Sequence, residues 1–409
     1  MKIQTSDKTT RSEVRRLSVV FCVSTLGYGG AETLLENLVC RLDPRRFAVA
    51  ICCTKTLGPI GRRLQSTLPI FEYRMQRKWD VRIVRWMKQL LQDRQADIVI
   101  TVGAGDKMFW GRLAAWRAGV PVVISALHTT GWPDEIGRLN RLLTPINDAF
   151  VGVAASHGKH LVEKEKLPTN KVHVIPNGID VHRYRPQTAC HELRESLGIP
   201  SGCQLVGIVA RLGAEKNHEM FFRVAHQVHS QLPNTHFLVV GDGPRRQHLE
   251  ALADELEITR CVHFTGARAD VPQLLSLLDV FLLTSHNEAS PVSVLEAMSS
   301  GIPVITTNVG SLLEIVIDGN VGYLVPPGDD DEMILRTVEL LRSPDARAAL
   351  GQAARQRVIN HWSVDTMVHG YERLMLRLWS QKSGQPFENI TRHDNISSDD
   401  MQQINLIDV

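Results

Sequence analysis

No apolar run in this chain approaches the roughly 20 residues that a membrane-spanning helix needs. A large charge imbalance is also missing. The formal net charge is +2 over 409 residues, which argues against a dedicated nucleic-acid binder and leaves only local basic patches open. The seven cysteines are scattered singly, apart from Cys52-Cys53, and none shows the spacing of a zinc site. An odd number of scattered thiols fits a reducing compartment. The opening residues, MKIQTSDKTTRSEVRR, are polar and charged, without the apolar centre of a secretory leader. Together these absences lead us to expect a cytoplasmic chain, with the inner membrane face as its further reach if it binds lipid.

What is present is ordinary for a globular enzyme: 43% hydrophobic and 22% charged residues. The length suggests about two domains of roughly 150 to 200 residues. Short β-branched runs punctuated by Gly, Pro or polar residues alternate with helical patterns. They include LSVVFCVST from residue 17, FAVAICCTK, ADIVITVG, VPVVISAL and DAFVGVAAS. After VIPNGID, near residue 180, the pattern restarts with QLVGIVAR, THFLVVGDG, CVHFTG, DVFLLTS, IPVITTN and GYLVPPGD. Such alternation predicts parallel sheets covered by helices on both faces. Two such series predict two doubly wound α/β domains facing each other. Ligands then sit outside the carboxyl ends of the strands, in a shared cleft. Residues 1–16 read as a flexible arm. Residues 383–409 read as a disordered tail.

Several residues fall at that predicted cleft end. Glu288 and Glu296 stand eight positions apart in SHNEASPVSVLEAM. Ser290 is the expected N-cap of the helix between two strands, with Pro291 at its first position and Gly301 at its end. Glu288 then lies in the loop and Glu296 within the helix. Val292, Val294, Leu295, Ala297 and Met298 make most of that helix apolar, so a carboxylate there needs partners. The two hydroxyls of a ribose or sugar diol would serve. The alternative is a solvated stripe shared with Ser293 and Ser300. The helix start itself favours anions, phosphates above all.

Arg211 and Lys216 flank the turn after the strand QLVGIVAR and could neutralise a departing diphosphate; an ordinary charged turn is the alternative. Gly241-Asp242-Gly243-Pro244 could admit a nucleotide close to the backbone, or simply make a tight turn with Pro244 starting a helix. Gly27, Gly29 and Gly30 precede the first helix. The dinucleotide fingerprint fails there, since Glu32 replaces the third glycine and Lys55 stands where an NAD-binding acid would end the second strand. A loop that brings phosphate or sugar to the helix start fits better. His128, just past a strand end, could donate to a sugar hydroxyl or phosphate oxygen, or be structural. Asp329 and Asp331 match an Asp-x-Asp metal pattern, but a helix-start cluster explains them better, and no other metal constellation is present. Residues 77–95, RKWDVRIVRWMKQLLQDRQ, combine basic and apolar residues. They form either a membrane-surface helix or a helix packed on the first sheet.

In concert, Glu288-x7-Glu296 within NEASPVSVLEAM, VARLGAEKN, VVGDGP, VIPNGID and the early GGAE resemble the retaining glycosyltransferases of family 4, the group 1 glycosyl transferases with the GT-B fold. The similarity runs from about residue 17 to 380 and is tighter in the second half. It implies transfer of a sugar from a UDP- or GDP-sugar to an acceptor hydroxyl, with no permanently bound cofactor and no metal. The implied acceptor is a saccharide or lipid-linked glycan in cell-envelope synthesis. Residues 17–180 plus 364–382 would form the acceptor domain, and residues 181–363 the nucleotide-sugar domain. Arg211 and Lys216 would clamp the diphosphate, Glu296 hold the ribose, and Glu288 and His128 contact the sugar. Gly29, Gly30, Gly241, Gly243, Ser290 and Val292 would line the donor site. Many members of that family carry glycine where this chain has Pro291, which has no N–H. An epimerase or hydrolase on the same fold, or a non-catalytic nucleotide-sugar binder, are the competing functions.

Overall fold

A computed structural model describes residues 15–385 apart from residues 28, 78, 104 and 129–138. Most of the expected arm and all but three residues of the expected tail therefore lie outside the described residues.

The first sheet has the strands β1 (Leu17–Val23), β2 (Phe47–Cys53), β3 (Ile70–Glu72), β4 (Ile98–Val102), β5 (Val122–Ala126), β6 (Ala149–Gly152) and β7 (Val172–Val174). They run parallel in the order β3-β2-β1-β4-β5-β6-β7. The second sheet has β8 (Gln204–Val209), β9 (Thr235–Val240), β10 (Val262–Gly266), β11 (Val280–Leu283), β12 (Val304–Thr307) and β13 (Gly322–Val325). It is parallel throughout, in the order β10-β9-β8-β11-β12-β13. The fold is two parallel α/β domains, as the alternating pattern predicts.

The helices that matter below are α1 (Gly30–Val39), α2 (Pro59–Leu64), α3 (Arg82–Asp93), α4 (Asp106–Ala118), α5 (Ala155–Glu163), α6 (His191–Ser196) and α7 (His218–Gln231). After these come α8 (Arg246–Glu255), α9 (Val271–Leu275), α10 (Val292–Ser299), α11 (Leu312–Ile315), α12 (Asp330–Arg342), α13 (Pro344–His361) and α14 (Val364–Ser383).

Period-two alternation sorts the strand residues between two cores. Leu17, Val19, Phe21 and Val23 of β1 pack with Leu34, Leu35 and Leu38 of α1 and with Met367, Tyr371, Leu374 and Trp379 of α14. Val20 and Cys22 point the other way, toward Ile83, Met87 and Leu91 of α3 and Trp110 and Ala114 of α4. The apolar stripe of α3 is thus covered by the sheet and α4, as in the packed-helix reading of residues 77–95. Trp79 and Val81, just before α3, remain 52% and 66% exposed.

The last helix therefore packs on the first sheet. The chain passes from the first sheet to the second near Ile179 and returns near Ser363. The two crossings are bonded to one another: Ile179 N–H donates to Trp362 O at 2.8 Å, and Val364 N–H to Ile179 O at 2.9 Å. Gly178 permits this approach. A Cβ there would lie 2.6 Å from Ser363 O and 2.7 Å from Val364 Cα.

Each sheet reverses its strand order once, between β1 and β4 in the first and between β8 and β11 in the second. Crevices open outside the strand ends at such points. The loops after β8 and β11 carry Arg211 to Lys216 and Ser285 to Pro291, respectively.

Candidate functional site

A cleft of about 980 Å³ lies between the two domains. Gly29, Gly30 and His128 line it from the first domain. Arg211, Lys216, Gly241, Glu288, Ser290, Val292 and Glu296 line it from the second. Gly243 is the exception among the expected residues. A Cβ there would meet Leu212 O at 2.5 Å, so this glycine serves the packing of two loops. Gly241 has φ +139°, and a Cβ on it would fall 2.0 Å from Ala210 O. Backbone packing alone requires that glycine too. Pro244 does not start a helix, since α8 begins at Arg246.

The loops after β8 and β11 are stitched together. Thr284 Oγ1 donates to Lys216 O at 3.1 Å and to Asn217 O at 2.9 Å, and His286 N–H to Glu215 O at 2.9 Å. This brings Lys216 Nζ to 2.5 Å from Glu288 Oε1. Ser285 Oγ donates to the same oxygen at 2.6 Å. Glu288 is 8% exposed, so this cation and hydroxyl are what keep its charge tolerable. Behind it, Ser311 N–H donates to Glu288 O at 3.1 Å. The neighbouring Gly310 sits at φ +54°, where a Cβ would be 1.9 Å from that same oxygen. Arg211 stands apart from this pair. It bonds Glu215 at 2.9 Å on the exposed rim.

The helix bearing Glu296 starts one residue later than expected. Pro291 adopts an extended conformation (φ −74°, ψ 106°) and is itself the N-cap, with Val292 as the first helical residue. Ser290 is therefore not the cap. Its carbonyl instead accepts from Asn177 Nδ2 at 3.3 Å. The proline's missing N–H falls outside the first turn, and no side chain caps α10. Val292 and Ser293, whose N–H groups lead the helix and carry its partial positive charge, line the cleft. Opposite them is the start of α1. A Cβ on Gly30 would lie 3.4 Å from Val292 Cγ2, so the two helix starts meet across the cleft.

Glu296 is 8% exposed and not on a solvated stripe. Burial pushes its carboxyl up to about 7, opposed by the Tyr184 hydroxyl and by Arg183. Tyr184, 4% exposed, was not identifiable as a site residue from the sequence. The signal was an aromatic in an otherwise polar stretch. Asn177 and Ser285 were likewise missed. Their roles follow from contacts to distant or loop atoms. His128 is driven down to about 4, first by burial and then by His157 and Lys107. It is neutral at pH 7, and its Nδ1 is buried without a hydrogen-bond partner among the described residues. Neutral imidazole donates from only one nitrogen.

At the distant Asp-x-Asp, Asp329 caps α12 by accepting from Glu332 N–H at 3.0 Å, and Asp330 pairs with Arg223 at 2.5 Å. This is the helix-start arrangement.

The arrangement can neutralise an anion between Lys216 and two helix starts while presenting buried carboxylates to hydroxyl groups. Comparison with known proteins bears on the family and the fold. Residues 191–357 match the model of the glycosyl transferases group 1, and residues 28–183 match that of glycosyltransferase family 4. The chain is 26% identical over 343 residues to the UDP-Gal:alpha-D-GlcNAc-diphosphoundecaprenol alpha-1,3-galactosyltransferase of Escherichia coli, spanning 79% of this chain and 87% of the relative. It is also 26% identical to the N-acetyl-alpha-D-glucosaminyl L-malate synthase of Bacillus anthracis, over 72% of this chain and 78% of the relative. Among solved structures, Anabaena Alr3699/HepE in complex with UDP and glucose superposes with a TM-score of 0.77. The identity is 20%, and the match covers 88% of this chain and 99% of that one.

Proposed function

The chain belongs to the family 4, group 1 glycosyltransferases of GT-B fold, and we propose that it transfers a sugar from a UDP- or GDP-sugar to an acceptor hydroxyl with retention of configuration. One observation carries this reading. Lys216 and Glu288 meet at the β8/β11 crevice, beside a helix start that no side chain caps.

In this reading the nucleotide lies on the second domain. Glu296 accepts hydrogen bonds from the ribose hydroxyls. Lys216 leaves Glu288 for the β-phosphate, joined by Arg211 and by the first N–H groups of α10. The carboxylate so freed faces the sugar. His128, neutral, contacts the sugar from the first domain. As the bond from the anomeric carbon to phosphate breaks, its electron pair passes to the diphosphate, where this positive charge is concentrated. The acceptor oxygen bonds that carbon from the same face and gives its proton to a departing phosphate oxygen. No enzyme base is required. Because side chains and helix starts supply the charge, turnover should survive chelation of divalent cations.

The Escherichia coli relative is named for a lipid-linked acceptor, and a saccharide or lipid-linked acceptor is the expectation here. Membrane contact then narrows from the whole 77–95 segment to Trp79, Val81 and the arginines around them. The deciding experiment is a thermal-shift and product screen across nucleotide sugars. A UDP- or GDP-sugar should raise the melting temperature and slowly release its diphosphate. Lys216→Ala should lower turnover by about ten- to hundredfold, the effect of losing one charge-assisted contact of roughly 1.5–3 kcal/mol. Wild-type turnover in that variant would overturn the assignment, and isomerised sugar without transfer would favour an epimerase.

A further inference from the structure

Helix α5 of the first domain begins without a local cap. Its N-cap residue is Ala154, whose side chain accepts nothing. The partner comes from the second domain. Glu314 Oε2 accepts from Ala155 N–H at 2.9 Å, and Glu314 Oε1 from Ser156 N–H at 2.7 Å. A carboxylate on two free N–H groups at a helix start is a strong, directional contact. Here it spans 159 and 158 positions of sequence.

Both ends of this contact lead to the site. On the second-domain side, Glu314 sits on the short helix α11. Its N–H donates to Ser311 O at 3.0 Å, and Ser311 N–H in turn holds Glu288 O. Arg357 braces the same helix from α13, donating to Glu314 O at 2.8 Å and Ile315 O at 2.9 Å. On the first-domain side, the residue after Ser156 is His157. Its Nδ1 accepts from Val153 N–H at 3.3 Å, and its ring lies close enough to His128 to depress that residue's basicity.

We propose that Glu314 is a positioning residue that sets the two half-sites in register: by capping α5 it fixes the distance between His128 and Glu288. It touches neither donor nor acceptor in this scheme. The activity consequence rests on the transferase reading, whereas the capping itself does not.

The test uses two variants of the full chain. Glu314→Ala removes the acceptor. Ala155→Pro removes one donor with little distortion, because proline is tolerated at the first helical position and the preceding Ala154 is already extended (φ −160°, ψ 160°). In Glu314→Ala, amide exchange at the start of α5 should accelerate by about tenfold. Affinity for the nucleoside diphosphate of the donor that the wild type turns over, UDP or GDP, should stay within about twofold, while kcat for diphosphate release from that donor should fall by about tenfold. The double variant should be no worse than Glu314→Ala alone. Unchanged exchange, an additive double variant, or a loss of affinity for that nucleoside diphosphate matching the loss of turnover would each overturn the proposal. If the wild type turns over no nucleotide sugar, the transferase reading fails. The capping is then still decided by exchange and by the same two-variant cycle read as thermal stability.

Discussion

Burial holds the Glu296 carboxyl at about 7, against 4.5 for the free group. Between those values the folded chain keeps a proton that the unfolded chain releases. The stability this group contributes is therefore full below about pH 4.5 and is lost as pH rises through 7. Glu296→Gln removes the penalty, so the variant should be more stable than wild type at pH 8, by about 1–3 kcal/mol. It should also bind the nucleoside diphosphate of its donor, UDP or GDP, at least about tenfold more weakly, having lost the carboxylate acceptor. Wild-type affinity for that diphosphate should fall from pH 8 to pH 6 more steeply than that of the variant. Urea unfolding and calorimetric titration at both pH values check this. A destabilised variant that still binds the diphosphate would refute the proposed ribose contact. The sequence could show Glu296 within an apolar helix. It could not show Tyr184, because that hydroxyl arrives from a polar segment more than a hundred positions away.

Elements and their ends differ in how far the sequence reveals them. The buried strands of the second sheet were legible as short β-branched runs, and so was the amphipathic α3. The three-residue strand β3 was not, since Ile70–Glu72 is too short for any periodicity. Helix starts were the weaker reading. The Ser-Pro pair suggested a cap and a first residue, yet Pro291 took the N-cap position, and only backbone geometry reveals which residue turns first. Pro-Asn-Gly at 176–178 has the composition of a turn; its third residue is where the returning chain presses against the outgoing one. Gly178→Ala should force the two crossings apart, with a cost of about 1–3 kcal/mol and a fall of several degrees in melting temperature. Thermal unfolding decides, and an unchanged midpoint would mean that the crossings are free to separate.

At the scale of the whole molecule, two domains of one architecture do different work because different residues occupy their strand ends. The second domain carries the charged pair and the buried acid, and the first brings glycines and a neutral histidine. The first domain also carries the exposed Trp79 and Val81, with Arg77, Arg82 and Arg85 exposed nearby. An apolar tip among arginines suits an anionic lipid surface. The protein should co-sediment with anionic liposomes at low salt, and Trp79→Ala should weaken that binding severalfold. Failure of the wild type to pellet would remove the membrane from the scheme.

The packing of α14 on the first sheet also orders events in time. Residues between the two crossings fold as a unit around their own core, and all of them leave the ribosome before α14 does. The first sheet, although synthesised earlier, must wait with Ile124 and Ala126 of β5 uncovered on the face that α14 shields. Domains fold as they emerge, so the domain begun first is the one completed last. A chain halted near residue 363 would present a finished second domain beside a half-open, aggregation-prone first one.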